Sequence, residues 1–193
     1  SLLLVNEKLK NFKKSKEIAQ ALEELNIDVS VEKVYFDTLI ILNDPILSYE
    51  KRTELLFEIF KENKIIQRIF ATFLIQSNRE FFFSNIDMFD CEKLIDILWY
   101  QKKEDIDFDK IKNNKFLNEL YSAKNYINSV SNSSDFDLNI LILINNHQKD
   151  IKTNLTFEFI CKSCKHSSPF YDARCPNCHS ILSLEVKHHL TKA

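Results

Sequence analysis

Four of the five cysteines in this chain lie close together near its C-terminal end. Cys161 and Cys164 form one CxxC pair, Cys175 and Cys178 form a second, and ten residues separate the two pairs. A CxxC pair supplies two sulfur ligands from a single tight turn, and two pairs complete the tetrahedral shell that Zn²⁺ prefers. The spacing therefore predicts a zinc site with these four cysteines as its ligands.

Three other chemistries also use paired cysteines. Two disulfides would require an oxidising compartment and would leave the fifth cysteine, Cys91, unexplained. A thioredoxin-like redox site uses one CxxC pair at a helix start within a βαβ unit, and this sequence lacks that context. Four thiolates also suit iron in a rubredoxin-type centre, so the ligand type alone does not choose the metal. We predict zinc and keep iron as the alternative.

The residues on either side of the cysteine pairs indicate a small β ribbon. Apolar residues alternate with polar ones before the first pair and after the second, as is typical of strands. The alternating residues are Leu155, Phe157 and Phe159 on one side and Leu182, Leu184 and Val186 on the other.

Lys165 and four histidines lie within or close to the predicted ribbon. Lys165 and His179 follow the two pairs, where the chain often turns left-handed and glycine is usual, so we expect a strained or modified turn at both. Because four sulfurs already satisfy the ion, we predict that His166 and His179 are bystanders. The pair His188 and His189 is predicted to lie in a solvated tail.

The first 150 residues show apolar residues at helical spacing, which predicts six or more antiparallel helices. The stripes are Ile18, Ala21, Leu22 and Leu25; Val31, Val34, Tyr35, Thr38 and Leu39; Leu55, Leu56, Ile59 and Phe60; Ile66, Ile69, Phe70 and Phe73; Cys91, Leu94, Ile95 and Leu98; and Leu117, Leu120, Tyr121 and Lys124.

Some local signals place boundaries between these helices. Asp44 followed by Pro45 predicts a helix start, with the carboxylate capping free amides and proline in the first turn. The segment 135–146 fits both a helix and an alternating strand, and we predict a helix because its neighbours are helical. The apolar face of that helix would carry Phe136, Ile140, Leu143 and Ile144. The segment 147–154 is predicted to be a linker.

The expected fold is mainly α with a small C-terminal β zinc ribbon. A shift of about 34 residues aligns some of the stripes, as in tetratricopeptide (TPR) arrays, but small residues for close helix crossings are scarce. We therefore expect an antiparallel helical array, either a degenerate TPR-like solenoid or a plain bundle. The predicted domains are 1–150, helical, and 155–190, the zinc ribbon.

The composition argues against several classes of function. The chain has no glycine, so phosphate-cradling loops, dinucleotide-binding turns and nucleophile elbows are all missing. Acidic and histidine side chains form no recognisable catalytic constellation, and we predict that the protein is not an enzyme. The net charge is −2, with five basic and two acidic side chains in residues 161–193. Four thiolates around a zinc ion add −2, which offsets most of that basic excess.

The stretch FICKSCKHSSPFYDARCPNCHSIL resembles the C-terminal rubredoxin-like module of the lipopolysaccharide assembly protein B family. In that family an aromatic residue precedes CxxC and ten residues lead to CPxC, which is the spacing found here. The resemblance implies that Cys161, Cys164, Cys175 and Cys178 are the metal ligands. This chain departs from the family pattern at two places. The family has glycine at the position of Lys165, and it has an aromatic residue shortly before CPxC, where this chain has Ala173 and Arg174.

The same resemblance implies an architecture and a location. The family places the module after TPR helices, on the cytoplasmic side of the inner membrane of Gram-negative bacteria, behind an N-terminal membrane anchor. Its role would be that of an adaptor for a membrane-bound AAA+ protease that controls the deacetylase committing precursor to lipid A. The chain starts at Ser1 rather than methionine, so our hypothesis is that an expression scar or a truncation replaces the native start, and contact with the membrane would require an anchor upstream of Ser1.

Two classes of function remain in consideration. The first is a non-enzymatic protein–protein interaction adaptor with structural zinc. The alternative is a nucleic-acid-binding zinc ribbon, with electron transfer through iron as a third possibility. The basic and aromatic residues that could contact nucleic acid are Lys162, Lys165, Phe170, Tyr171, Arg174 and Lys187. The aromatic segment 81–90 is predicted to be core rather than a binding groove, as are Trp99, Tyr100 and Cys91.

Overall fold

The computed structural model describes residues 2–147 and 152–192 and divides the chain into two compact units, one up to Asn78 and one from Arg79 onward. The protein is mainly helical with a small antiparallel sheet near the C-terminus, as predicted. Half of the predicted linker 147–154, together with the predicted boundary at residue 150, lies outside the described residues. Of the other half, His147 is the last residue of a helix, and Thr153 and Asn154 lie in a strand, so the linker prediction is wrong there. The division into domains 1–150 and 155–190 stays a prediction.

The first unit consists of helices that pack in chain order, each against the next. Their bounds are α1 Leu2–Lys8, α2 Phe12–Glu24, α3 Ser30–Asn43, α4 Tyr49–Glu62 and α5 Gln67–Ser77, with a 3₁₀ turn at Lys64–Ile66 before α5. Buried aromatic side chains from three of these helices, Phe36, Phe60 and Phe70, form much of the core. The rings of Phe60 and Phe70 lie 5.4 Å apart.

The helix start predicted at Asp44 and Pro45 is wrong. Asp44 instead caps the C-terminal end of α3, and α4 begins four residues after Pro45, at Tyr49. The N-cap of α4 is Ser48, whose hydroxyl accepts a hydrogen bond from the Lys51 amide at 3.2 Å. The Asp44 carboxylate accepts from the Ile46 amide at 2.9 Å, which makes a local turn rather than a helix.

The predicted core face of α2 is partly wrong. Ser15 and Ala19 are fully buried on this helix, whereas Leu25 is 71% exposed. The helix ends at Glu24, and Asn26 has a positive φ of 60°, so Leu25 leaves the helical periodicity that the sequence suggested. Small side chains on the buried face suit a close approach of α2 to its neighbours.

The second unit begins with short helices around an aromatic core. Their bounds are α6 Arg79–Ser84, α7 Ile95–Trp99, α8 Phe108–Ile111, α9 Lys115–Ala123 and α10 Phe136–His147, with 3₁₀ turns at Ile86–Met88, Cys91–Leu94 and Lys103–Asp105. The prediction that segment 81–90 is core is confirmed, because Phe82, Phe83, Ile86 and Phe89 are buried. Tyr100 is 70% exposed, so its predicted core position is wrong.

Two further sequence predictions in this unit are confirmed. Cys91 is buried, and burial together with the nearby Asp90 and Asp87 carboxylates raises its pKa from 9.0 to about 12. The ambiguous segment 135–146 is a helix, α10, and Asp135 caps it by accepting a hydrogen bond from the Leu138 amide at 3.0 Å. The buried residues of α10 are Leu138, Leu141 and Ile142, so the apolar face predicted from the sequence is wrong.

The sheet has three antiparallel strands in the order β2-β1-β3. Their bounds are β1 Thr153–Cys161, β2 Ser167–Ser168 and β3 Leu184–Lys192. Strands were predicted on both sides of the cysteine pairs and are confirmed, and the register places Phe159 opposite Val186. Leu182 is not part of β3; it has a positive φ of 49° and lies in the turn before the strand.

The sheet packs against helices of its own unit. Both long strands contact α10, and β3 also contacts α7. The indole Nε1 of Trp99 donates a hydrogen bond to Asn154 Oδ1 at 3.1 Å, and the rings of Tyr100 and Phe157 meet edge to face with centroids 5.7 Å apart. Within the second unit, ribbon and helices therefore share an interface.

The prediction of a solvated histidine pair is wrong for one member. The His188 side chain is only 20% exposed, and its Nε2 lies 3.1 Å from an Asp135 carboxylate oxygen at the start of α10. His189 faces the other side of the strand, is largely exposed and contacts Glu158 at 2.9 Å. Alternation along β3 separates the two side chains because neighbouring residues point to opposite faces of a sheet.

Candidate metal centre

The two CxxC pairs lie on two turns that face each other at one end of the ribbon. Cys161 is the last residue of β1, and Cys164 lies in the turn that follows. Cys175 and Cys178 lie in the second turn, which is closed at its base by an antiparallel bridge between Arg174 and Ile181. Cys161 and Cys175 are fully buried, whereas Cys178 is exposed.

The two turns repeat the same backbone hydrogen bonds. In the first, the Lys165 amide donates to the Cys161 carbonyl and the Cys161 amide to the His166 carbonyl, both at 2.9 Å. In the second, the His179 amide donates to the Cys175 carbonyl at 2.9 Å and the Cys175 amide to the Ser180 carbonyl at 3.0 Å. Each pair is thus presented by an equivalent knuckle.

The backbone turns left-handed after each pair, as the sequence suggested. The φ angles are 61° at Lys165 and 62° at His179. Side chains with a Cβ pay about 1–2 kcal/mol in this region, which glycine avoids. The local strain at these two residues is a consequence of building the knuckles without glycine.

The four sulfur atoms lie at distances that suit a single tetrahedral ion. All four lie within 4.8 Å of one another, with Cys161 Sγ 3.7 Å from Cys178 Sγ and Cys164 Sγ 3.6 Å from Cys175 Sγ. A tetrahedron with metal–sulfur bonds of about 2.3 Å has edges of about 3.8 Å. All four are free thiols, so the disulfide alternative is wrong for this structure. The donor set therefore fits zinc or iron.

Hydrogen bonds to sulfur favour the thiolate form in the first knuckle. Burial raises the pKa of Cys161, but bonds from the Ser183 hydroxyl and from the Cys164 and Ser163 amides outweigh burial and lower it from 9.0 to about 5. The Ser183 Oγ lies 3.3 Å from Cys161 Sγ. The Asn177 side-chain amide, 3.5 Å from Cys164 Sγ, lowers the pKa of that thiol.

The second knuckle shows the opposing effect. The Cys178 amide lowers the pKa of Cys175, but burial and the neighbouring thiols Cys164 and Cys161 raise it to about 11. Four thiolates so close together repel one another, so deprotonating all four is unfavourable without a nearby positive charge. A divalent or trivalent cation at the centre of the four sulfurs would remove that resistance.

The ribbon has only a small apolar core of its own around the sulfurs. Phe159, Cys161, Cys175 and Leu184 are its buried members, and Tyr171 packs against them with its ring 5.7 Å from that of Phe159. A segment of this size buries too little apolar surface to be stable alone. The cysteines therefore form a large part of the ribbon's interior.

The predicted bystander histidines do not join the sulfur cluster. Among the residues that the structure describes, the candidate ligand group contains the four cysteines and no histidine, and His166 and His179 are both exposed. The sequence did not point to Asn177, Ser180 and Ser183, whose side chains contact the sulfurs. Asn177 lies within the second CxxC pair, whereas Ser180 and Ser183 follow it by two and five residues, a spacing that marks no known ligand pattern.

Some of the basic and aromatic residues considered for nucleic-acid binding contact other residues of the ribbon. Lys162 is ion-paired with Glu185 at 2.9 Å, and Tyr171 packs in the ribbon core. Arg174 donates to the His179 carbonyl at 2.8 Å. Phe170 is 78% exposed, and Lys165 and Lys187 are exposed as well. Several members of the set are thus engaged within the ribbon.

Comparisons with known proteins leave the family of this chain open. No protein-family model matches the chain, and no curated protein matches it. Over residues 2–147 and 152–192, no helix has the length and apolar character needed to cross a bilayer.

Proposed function

We propose that this chain is a protein–protein interaction adaptor whose C-terminal ribbon is held by a structural metal ion. The observation that carries the proposal is the closed set of four thiols, Cys161, Cys164, Cys175 and Cys178, with sulfurs within 4.8 Å of one another. An ion with four protein ligands has no open position for substrate or water, which is the pattern of structural rather than catalytic sites.

Zinc is the metal that we propose, with iron as the alternative. Both accept four thiolates in tetrahedral geometry, so the sulfur positions suit either. Metal analysis of the purified protein distinguishes them, and so does colour, because a ferric tetrathiolate protein is red and a zinc protein is colourless. One equivalent of iron with a red colour would replace the structural role by an electron-transfer role.

The packing of the ribbon supports an adaptor role. Within the second unit the sheet contacts α7 and α10, and Trp99, Tyr100 and His188 lie at this interface. An ion that fixes the ribbon also fixes the surface that ribbon and helices share. We propose that this composite surface binds a protein partner, with no chemistry at the metal.

A finer proposal follows from the CxxC-x₁₀-CPxC spacing and the helices that precede it. In this proposal the helices form a degenerate TPR-like array, the ribbon is rubredoxin-like, and the protein acts on lipopolysaccharide synthesis at the cytoplasmic face of the inner membrane of a Gram-negative bacterium. Its partners would be a membrane-bound AAA+ protease and an enzyme of lipid A biosynthesis. This proposal rests on the resemblance of the cysteine spacing to the module of the lipopolysaccharide assembly protein B family, and on the helices that precede the ribbon.

The test is affinity capture from detergent-solubilised membranes of a Gram-negative bacterium that expresses the tagged chain. The wild-type chain and a Cys91→Ala control, which keeps all four candidate ligands, should recover a AAA+ protease. A Cys175→Ser chain should not, because the ribbon surface is lost. Recovery of the same proteins by all three chains would contradict a role for the ribbon, and absence of any protease would contradict the finer proposal.

A further inference from the structure

The first unit contains a groove at the end where two helix-connecting turns meet. The α1–α2 turn and the start of α2 form one wall, and the end of α3 and the segment after it form the other. The volume is about 340 Å³. Apolar side chains line it from both walls, namely Phe12, Ile40, Pro45 and Ile46, and Lys10 and Lys13 add two cationic groups.

Local hydrogen bonds fix both walls of the groove. Asn11 caps α2 by accepting from the Lys14 amide at 3.3 Å. On the other wall the Asp44 carboxylate accepts from the Ile46 amide at 2.9 Å, and the Arg52 guanidinium donates to the Asp44 carbonyl at 2.5 Å. A groove that is already formed costs a partner little ordering of its walls.

The charge beside the groove is positive. Residues 8–16 include five lysines, of which Lys14 pairs with Glu17 at 2.8 Å and Lys16 with Asp37 at 2.5 Å. The other three have no ion-pair partner within the described part of the chain: Lys8, Lys10 and Lys13. Asp44 is the acidic residue of the groove, and its carboxylate already accepts the Ile46 amide.

An aliphatic side chain stands open at the same place. Ile46 is 90% exposed although the turn that carries it is hydrogen-bonded. Leu9, next to Lys8 and Lys10 in the chain, is 72% exposed. Covering these exposed apolar side chains with an apolar group of a partner removes them from water, which is favourable. The neighbouring lysines favour a partner that carries negative charge.

We propose that this groove binds an acidic segment of a partner protein, in which one large aliphatic or aromatic side chain is flanked by carboxylates. The apolar side chain contacts Phe12, Ile40 and Ile46, and the carboxylates meet Lys10 and Lys13. This inference rests on the adaptor function proposed above and names the chemistry of the partner. A concave site with an apolar floor suits an inserted side chain better than a flat layer of lipid headgroups.

The test uses the full chain, labelled with ¹⁵N and loaded with zinc, and a synthetic peptide Ser-Glu-Glu-Leu-Glu-Glu-Ser. We expect saturable NMR shift changes confined to residues 10–13 and 40–46. Two matched peptides, one with serine for leucine and one with glutamine for every glutamate, should bind at least about tenfold more weakly.

Chain variants test the same contacts from the other side. Ile46→Glu and the double variant Lys10→Gln/Lys13→Gln should each weaken peptide binding by about tenfold or more. Lys51→Gln is the matched control, because Lys51 is an exposed lysine on α4 that pairs with Glu54, and it should bind as the wild type does. Because the Ile46 side chain is exposed to solvent, replacing it should leave the core intact.

Three results would overturn the proposal: no saturable shifts, shifts outside the groove, or equal binding by Ile46→Glu and wild type. Co-sedimentation with phosphatidylglycerol vesicles that depends on the lysines but not on Ile46 would assign the surface to anionic lipid instead. The capture experiment with Cys175→Ser stays independent of this test. Partner capture that requires the ribbon, together with an inert groove, would remove the groove proposal alone.

Discussion

Replacing Cys175 by serine should remove the metal and release the ribbon from the helices, and the only tryptophan of the chain reports that release. Trp99 is 6% exposed, and its Nε1 donates to Asn154 on β1 at 3.1 Å. If β1 separates from the helices, the indole loses this hydrogen-bond partner and becomes more exposed to solvent. Its fluorescence emission should then shift to longer wavelength.

The expected size of the effect follows from the contacts. A structural zinc ion contributes on the order of 10 kcal/mol, as much as the whole stability of a typical domain, so the ribbon should not stay folded without it. The Trp99–Asn154 hydrogen bond contributes about 1 kcal/mol and the Tyr100–Phe157 ring pair about 1 kcal/mol. These two contacts together contribute about 2 kcal/mol, roughly a 30-fold change in a folding equilibrium, and we expect most of the helical structure to persist without them.

The assay combines metal analysis, tryptophan emission and far-ultraviolet circular dichroism on wild type, Cys175→Ser and the control Cys91→Ala. Wild type and control should hold one ion per chain and a short-wavelength emission maximum. Cys175→Ser should lose both while most of its helical signal persists. One ion per chain in Cys175→Ser would refute the assignment of four cysteine ligands. Loss of the ion with unchanged emission would refute the need for metal in ribbon folding.

Three further predictions concern individual residues, and a fourth concerns nucleic-acid binding. Replacing Lys165 or His179 by glycine should relieve the left-handed backbone and contribute about 1 kcal/mol each, which slower metal loss to a chelator would reveal; faster loss would argue against strain there. Ser183→Ala should lower metal affinity about tenfold in chelator competition, because Cys161 loses a hydrogen bond, and unchanged affinity would count against that contact. With its pKa raised to about 12, the Cys91 thiol should resist alkylation by iodoacetamide at pH 8 in the native protein. The unfolded chain releases this proton near pH 9 and the folded chain keeps it, so the free energy of unfolding should fall as pH rises above 9, and no change with pH in that range would contradict the assignment. A salt titration with RNA and DNA should show no binding even at low ionic strength, whereas binding that weakens steeply with salt would revive the nucleic-acid alternative.

Local features of the site and of the helices could be predicted from the sequence because short-range geometry decides them. Two CxxC pairs ten residues apart place four sulfurs on two tight turns whatever surrounds them, and the left-handed residues after each pair follow from the same turn. The pattern of the segment that forms α10 fitted both a helix and a strand, its helical neighbours decided for helix, and its buried face was misjudged. The face depends on which neighbour the helix packs against, and periodicity alone carries no such information.

Contacts between distant parts of the chain were decided only by the tertiary structure. His188 meets Asp135 across 53 residues and Trp99 meets Asn154 across 55, so a histidine assigned to a solvated tail became part of an interface. The groove joins a turn near Lys10 to one near Ile46, and neither turn signals the other. The sequence by itself determined the four candidate sulfur ligands and the mainly helical class, because each depends on a few neighbouring residues. Which surfaces meet depends on the packing of whole elements, and that packing is a property of the complete fold.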